Sequence, residues 1–600
     1  MKNHRKAVGC WWILLVCAIL GAVLYSLVAA APYSSQKNWV DSLASDGNFE
    51  SFTGNIYNVI RIISLPLAIL SIGVLIVILV FRTRSMDRIG QLFSWLKGFF
   101  THRWQEIGQI VRALVPSKQE IIPLAVLLVI IIFGIFFRYA YLWRPMGHDE
   151  TYTFMAFASR GLRVVITDYH LPNNHIFHTI LVNLFSQMLG DSPAVIRLPA
   201  FIAGILLIPA TYLIGKIFYD WKIGLVAASV IAALPVLVDY STTARGYTII
   251  TLFALMIVAI SAYVKDNQNL VAWFILIGFS GLGLYTNPTM IYPIGMAFTW
   301  LILSSMIKDI IPGYGKRFYL YLLLLGVGIA LFTGFLYLPI IYTSGLQSVV
   351  GNEVVEALNW SDFTQSLLPR IRNTWQEWNR SVHPIFSSIA LIGLVASFFV
   401  PRLPRNRRVP LILAGFIWIA AALLVQRVAP WPRIWLFLLP FFIIWITAGI
   451  IGLINLLIAK LPKSELLIHL IWGILIVMLL LAGIVRTYPQ YSEKIFSKGE
   501  VEQVADFLQD YLQDGDVVVV TSPDRVVLKY YLMRNNIDKE FTELTKEKEV
   551  ARSIVVVNQA TGQTLEYVLD RRSFLDDIEL ASAEEIYQSR RFILYQLSSN

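Results

Sequence analysis

Asp149 and Glu150 stand side by side in RPMGHDETYTF, residues 144–154, directly after the apolar run that ends at Trp143. Adjacent carboxylates at such a boundary, flanked by Trp143, Tyr152 and Phe154, are partly desolvated. Desolvation raises a carboxylate's proton affinity and suits it to taking a proton from an attacking hydroxyl or amine. The same pair can also simply end a helix in headgroup water. Further on, YHLPNNHIFH (169–178) gathers His170, Asn173, Asn174 and His175, groups that can bind sugar hydroxyls or a phosphate. A Pro-Asn-Asn turn capping a helix that starts near Ile176 is the plainer alternative. Arg245 and Tyr247 lie in the ARGY turn of STTARGYT, and Arg427 and Arg433 bracket VAPWP before IWLFLLP. A guanidinium matches phosphate oxygens in a fixed fork, whereas a snorkelling anchor looks the same in sequence. Three histidines near two carboxylates also permit a divalent metal. No HExxH-type spacing supports one, and neither a metal nor another cofactor is assigned.

These residues need a scaffold, and the composition says which kind. The 600 residues are 56% hydrophobic and 13% aromatic, with a mean hydropathy of +0.63, far too apolar for a soluble chain. Stretches long enough to cross a bilayer predict thirteen spans, at 8–31, 57–81, 121–143, 194–215, 223–240, 247–264, 271–290, 291–307, 318–340, 384–400, 410–427, 433–458 and 465–487. The first follows Lys2, Arg5 and Lys6 and reads as a retained helix, although LVAAAPYSS partly matches a cleavage site. With the N-terminus inside, the basic segments RTRSMDR, 98–118, KDIIPGYGKR and PRLPRNRR fall inside. The outer loops 32–56, 241–246 and 284–291 hold only Lys37 and Arg245, as cytoplasmic positive bias requires. An odd span count then puts RPMGHDETYTF, ARGY, the 341–383 loop, VAPWPR and everything after 487 on one outer face.

Charge divides the chain at the same place. Residues 1–487 carry 36 basic and 19 acidic side chains, and 488–600 carry 13 and 20. The basic excess reflects inner loops and the inner leaflet, not nucleic-acid binding. Cys10 and Cys17 are the only cysteines, both in the first span, which excludes a disulfide framework or Cys-based zinc site outside the membrane. Within 82–120, WLKGFFTHRWQEIGQIVRALV either lies along the membrane surface or packs as a connector beneath the bundle.

The tail has another texture. VEQVADFLQDYL, RVVLKYYLMRNN and TGQTLEYVLDRR have helical periodicity, while DGDVVVVTSPD, RSIVVVNQ and RFILYQLSS read as strands. The alternation predicts a small α/β domain with a mainly parallel sheet. GDVVVVTSPDR lacks any nucleotide-binding glycine pattern and reads as structural or acceptor-presenting.

Ionisable residues avoid the span centres; Arg138, Arg197, Asp239 and Arg427 all fall near outer ends. A transporter or flippase of lipid-linked sugars is the rival class, and it calls for midplane polar groups and internal repeats, neither of which the sequence has. A non-catalytic scaffold would make Asp149 dispensable. An enzyme working at the outer interface fits the polar layer best.

The DE pair in the first large outer loop, the ARGY turn, the late PR-x-W-x-FLLP helix and the C-terminal domain together resemble the GT-C class of membrane glycosyltransferases. Within that class the chain is most similar to the bacterial protein O-mannosyltransferase and lipid A aminoarabinose transferase superfamily, over about 121–600. The resemblance implies a polytopic α-helical cell-membrane (inner-membrane) protein in three parts: an N-terminal two-helix addition and basic loop (1–120), a catalytic transmembrane domain (121–487) with outer loops 144–192 and 341–383, and an extracytoplasmic α/β domain (488–600). It implies transfer of a sugar from a polyprenyl-phosphate donor, with inversion, to a glycan, lipid or protein acceptor. Asp149 would be the base, Glu150 would assist, and Arg245 and Arg433 would hold the departing phosphate. The first loop lacks the Glu-Lys pair of the aminoarabinose transferases, having only Arg160 and Arg163 after DE, which weighs against a lipid A acceptor and a family-style metal. Asp239 reads as a helix-end aspartate, with a second catalytic carboxylate as the alternative.

Overall fold

The computed structural model describes residues 2–41, 53–80, 98, 101–114, 121–171, 173–350, 357–380, 382–399, 408–458, 473–482, 498–537, 552–570 and 583–598. The predicted inner segment RTRSMDR, nearly all of PRLPRNRR, both ends of the last predicted span and the boundary at 488 lie outside the described residues. The chain forms two compact units, Met1–Gln109 and Ile110–Asn600.

In the first unit, α1 (Lys2–Ala30) turns at Pro32 into α2 (Tyr33–Asp41) and packs along α3 (Gly54–Val80). Trp11, Leu15 and Ala18 meet Ile78 there. The chain bends by 108° between Leu15–Ala30 and Tyr33–Asp41.

The second unit is a helical bundle: α4 (Ile121–Tyr139), α5 (His148–Ala156), α6 (Leu162–Thr167), α7 (Ile176–Leu189), α8 (Pro193–Phe218), α9 (Trp221–Ala233), α10 (Pro235–Ser241), α11 (Tyr247–Asp266), α12 (Leu270–Thr286), α13 (Ile291–Met306), α14 (Gly315–Ser344), α15 (Trp360–Trp378), α16 (Pro384–Ser397), α17 (Leu411–Gln426) and α18 (Leu439–Ile458). Side-chain caps begin several of them: Ser192 accepts from Val195 N–H ahead of Pro193, Asp220 from Lys222 and Ile223, and Asn269 from Ala272. The core lies where α8, α9 and α11 cross, packed with Leu207, Ala227, Ala228, Ile231, Ala254 and Val258, all fully buried. Small residues let these backbones approach. A Cβ on Gly215 would stand 2.6 Å from the Gly224 Cα.

Among the described residues, seven helices are long and apolar enough to cross a membrane, nine if each bent pair counts as one span. Four of the predicted spans coincide with, or contain, shorter apolar helices, Leu270–Thr286, Pro384–Ser397, Leu411–Gln426 and Gly473–Ala482. The predicted span 223–240 is broken at Leu234, where α9 and α10 meet at 64°. Pro235 has no N–H to offer the Ile231 carbonyl. Arg138 takes over: its guanidinium donates to Ile231 O (3.0 Å), Ala232 O (2.8 Å), Gly134 O (3.0 Å) and Ser241 Oγ (3.1 Å). A buried cation here caps a broken helix, and the break carries α10 and the ARGY turn across the end of the bundle. The predicted outer loop 144–192 is largely helical, folding as α5, α6 and α7.

The tail forms α19 (Glu500–Tyr511), β1 (Asp516–Val520), α20 (Asp524–Arg534), β2 (Arg552–Asn558), α21 (Leu565–Asp570), β3 (Glu584–Gln588) and β4 (Phe592–Ser598). The sheet order is β1-β2-β4-β3. Only β1 and β2 are parallel; β2–β4 and β3–β4 are antiparallel, which corrects the mainly parallel expectation. The cause is β3, an edge strand whose Glu584, Glu585 and Gln588 are exposed. It turns back through Ser589–Arg591 into β4 as a hairpin. The domain sits on the predicted outer loop. Tyr531 Oη accepts from Met146 N–H (2.9 Å), Tyr530 Oη donates to Asp191 O (2.8 Å), and Tyr530 meets Phe154 edge to face. Met146, Phe154 and Ala244 share one apolar cluster with Val504, Val527 and Tyr531.

Candidate functional site

Helix α5 builds the site. Gly147 is its N-cap, so Asp149 and Glu150 occupy the first turn, and successive residues on a helix diverge by about 100°. The two carboxylates therefore face different ways. Glu150 points inward, 2% exposed. Its oxygens take Arg197 Nε (2.9 Å) and Nη2 (2.5 Å), Gly147 N–H (2.9 Å) and Ala244 N–H (2.9 Å). Arg197, fully buried, also donates to the carbonyls of Leu142 (2.7 Å), Arg144 (2.7 Å) and Pro145 (3.0 Å). This bracket ties the end of the first bundle helix, the start of α5 and the ARGY turn into one unit. Burial opposes the charge on Glu150, but Arg197, Arg144 and the Gly147 N–H outweigh it and hold the carboxyl at about 2. The desolvated member of the pair is thus Glu150, and its pKa moves down, against the expectation of a raised one.

Asp149 faces out with its side chain 49% exposed, 3.4 Å from the Arg433 guanidinium. Its carbonyl accepts from Thr153 Oγ1 (2.9 Å) and Asn173 Nδ2 (3.4 Å). On the same face, His148 Nδ1 donates to Pro523 O (2.8 Å), reaching the loop after β1.

Arg245 lies beneath this surface. It donates to Thr153 Oγ1 (3.0 Å) and Asn173 O (2.9 Å), while its Nε is buried without a partner. No carboxylate pairs with it among the described residues. His175 is buried; Gly246 N–H donates to its Nδ1 (2.9 Å), and its Nε2 faces Asn287 Nδ2 (3.2 Å) and Arg245 Nη2 (3.4 Å). Burial first, then Arg245, His178 and Arg433, pushes His175 well below its ordinary pKa, so the ring is neutral. Gly246 has to be glycine here, since a Cβ would stand 2.5 Å from Thr286 Cγ2 and 2.9 Å from His175 Nδ1. Tyr247 packs edge-on against His175 and Tyr240.

Asn174 is buried and donates to the carbonyls of Val165 and Asp168 (both 3.0 Å), shaping the loop ahead of α7. His170 joins Asp168 and Tyr152. Arg427 is not drawn into the Asp149 group: it ends α17 in the left-handed region, and its guanidinium lies over the Trp360 ring (5.8 Å). Sequence reasoning passed over Arg197, Arg144 and Arg380 as site residues. Arg144 pairs with Asp239 and bonds Thr243, and Arg380 reaches Asp239 from the other side at 3.6 Å, so Asp239 fastens the ends of three elements. The available signal was an arginine inside the apolar run PAVIRLPAF, since a buried charge demands a partner.

An apolar cavity of about 310 Å³ adjoins this layer, lined among others by Val230, Leu234, Trp378, Phe386, Ile446 and Ile450. Two of its polar lining residues, Asn379 and His383, bracket Arg380 in the chain. Among the described residues no group of three His, Cys, Asp or Glu side chains is placed to hold a metal ion.

Residues 174–337 match the dolichyl-phosphate-mannose-protein mannosyltransferase family. No curated protein matches the chain. In structure the chain is similar to ArnT from Cupriavidus metallidurans bound to undecaprenyl phosphate, at 12% identity and a TM-score of 0.51, over 80% of this chain and 98% of that one. The apo form of the same protein gives 12% identity and 0.50, over 79% and 97%. The fold is therefore that of a GT-C glycosyltransferase, in a multi-pass membrane protein.

Proposed function

We propose that the chain is a membrane glycosyltransferase that moves a sugar from a polyprenyl-phosphate donor to an acceptor on the extracytoplasmic face, with inversion at the anomeric carbon. One observation carries the reading: an outward carboxylate, Asp149, stands within 3.4 Å of an outward guanidinium, Arg433, on a helix anchored by a buried ion pair. A base and a phosphate-binding cation are thereby side by side, and the apolar cavity lined by Pro235 and Asn379, close in the chain to the Asp239–Arg380 contact, is suited to a prenyl chain. The match over 174–337 and the likeness to a protein bound to undecaprenyl phosphate support the same donor class.

In this reading Asp149 takes the proton of the acceptor nucleophile as its oxygen or nitrogen bonds to the anomeric carbon. The bond from that carbon to the phosphate oxygen breaks, and the lipid phosphate leaves with the electron pair. Arg433 meets the developing phosphate charge directly, and Arg245 adds positive potential from below; one preorganised donor of this kind contributes about 3 kcal/mol. Glu150 acts only through Arg197, as a positioning residue. Asn173 and His175 shape the floor, and His170 borders the acceptor side. The topology that goes with this has thirteen spans, the N-terminus inside and the C-terminal domain outside, in the cell membrane. Release of free polyprenyl phosphate from a panel of polyprenyl-phosphate sugars, by full-length protein in nanodiscs, tests the reading. Turnover of no donor would count against it and favour lipid translocation.

A further inference from the structure

The outward face of α5 has two differently charged sides. On one, Asp149 meets Arg433. On the other, a chain of hydrogen bonds ends at Tyr152: Asp168 Oδ1 lies 2.6 Å from His170 Nδ1, and His170 Nε2 lies 2.9 Å from Tyr152 Oη. Asp168 accepts only, so His170 donates to it through Nδ1, and Nε2 and the Tyr152 phenol share the second bond. Whichever of the two donates, the Tyr152 oxygen keeps a lone pair to offer outward. Among the described residues the Asp168 carboxylate engages its neighbours through Oδ1, with Oδ2 left to face a ligand. Tyr152 lies one turn beyond Asp149 on the same exposed face. Its ring gathers His148 (6.2 Å), Phe157 (6.2 Å) and His170 (6.3 Å) between ring centres.

The surface beside Asp149 is therefore an aromatic patch fringed by hydrogen-bond acceptors: the Asp149 carboxylate, the Tyr152 oxygen and Asp168 Oδ2. Such a lining repels phosphate and calls for a ligand with several hydroxyl donors and an apolar face. A sugar ring has both, hydroxyls at its edge and C–H groups on its faces that pack on aromatic rings. We propose that Tyr152, oriented by the Asp168–His170 pair, forms an acceptor subsite for a carbohydrate, so that the acceptor is a glycan or the sugar of a glycolipid and not a protein hydroxyl. This deepens the glycosyltransferase reading and rests on it. Asp149 lies between the two sides, phosphate toward Arg433 and acceptor sugar toward Tyr152.

Saturation-transfer NMR with the full chain in nanodiscs tests the subsite without donor. The probes are methyl α-mannoside, methyl α-glucoside, methyl β-N-acetylglucosaminide and a Ser/Thr peptide. The wild type gives ring-proton signals for at least one glycoside and none for the peptide. Tyr152→Ala abolishes them, Tyr152→Phe keeps the ring and weakens binding, and His170→Gln raises the acceptor KM about tenfold with little change in kcat. All three variants are compared by thermal unfolding, and Tyr152→Phe keeps the test valid if Tyr152→Ala does not fold. Absence of glycoside signals from wild type, signals indifferent to Tyr152, or peptide binding that depends on Tyr152 would each overturn the proposal. Donor hydrolysis to water, measured without acceptor, separates the two levels. Its presence in a wild type that gives no glycoside signal sinks the subsite alone, and its absence from wild type counts against the glycosyltransferase reading itself.

Discussion

Replacing Glu150 by Gln probes the bracket beneath the site. The glutamine keeps the shape but loses the charge, and its amide NH2 must face Arg197 together with either the Gly147 or the Ala244 N–H, all of them donors. Arg197 is then a fully buried cation without an anionic partner, which costs about 3–5 kcal/mol. Proton linkage gives a similar figure, because a carboxyl lowered from 4.5 to about 2 contributes about 3 kcal/mol. The folded-state pKa is depressed, so this stability is complete above pH 4.5 and is lost as pH falls toward 2. Thermal unfolding in nanodiscs should show a lower midpoint for Glu150→Gln than for wild type at pH 7, with the gap narrowing at pH 4 and again at pH 3. Hydrogen exchange should rise at the amides of 144–150, and kcat should fall although Glu150 touches no substrate. An unchanged midpoint at pH 7, or a gap that widens on acidification, refutes the bracket.

Other changes test other joints of the structure. Arg138→Met removes four hydrogen bonds and exposes the carbonyls at the α9–α10 break, so the unfolding midpoint should drop by an amount equivalent to about 2–5 kcal/mol. Gly449→Ala places a Cβ 1.9 Å from the Gly393 carbonyl; the overpacked crossing of α16 and α18 should lose about 1–3 kcal/mol and raise the donor KM, since that crossing borders the apolar cavity. Tyr531→Phe strands the buried Met146 N–H, and limited proteolysis should cut the tail sooner, with a stability loss of about 1–3 kcal/mol.

The candidate site residues stand out in the sequence because polar groups are rare in so apolar a chain, and the fold brings Asp149, Arg245 and Arg433 into one neighbourhood. What the sequence hides is direction. DE reads as a pair, yet one residue of helical rotation makes Glu150 a buried anchor and Asp149 a surface group, and the partner that separates them, Arg197, lies 47 residues away. Arg427 and Arg433 read alike, but the left-handed end of α17 sends the first to Trp360. The polar density of 144–192 reads as loop, while Ile176–Leu189 is an apolar helix too short to register as a span. The broken span is signalled by Pro235, whereas the arginine that repairs it sits 97 residues earlier. Five of the six predicted tail elements that carry packing appear through their hydrophobic period, and the sixth, TGQTLEYVLDRR, is helical only from Leu565. The exposed edge strand β3 has no such period, and without it the sheet reads as parallel.

The central claim is that Asp149 is the base at a lipid-donor site, and Asp149→Asn in nanodiscs tests it most directly. The carboxylate is half exposed and its pairing with Arg433 contributes only about 0–1 kcal/mol, so the variant should melt as wild type does and still bind polyprenyl phosphate. Transfer should fall by about 10²–10⁴-fold. Transfer at the wild-type rate from a folded, lipid-binding Asp149→Asn protein would contradict the account.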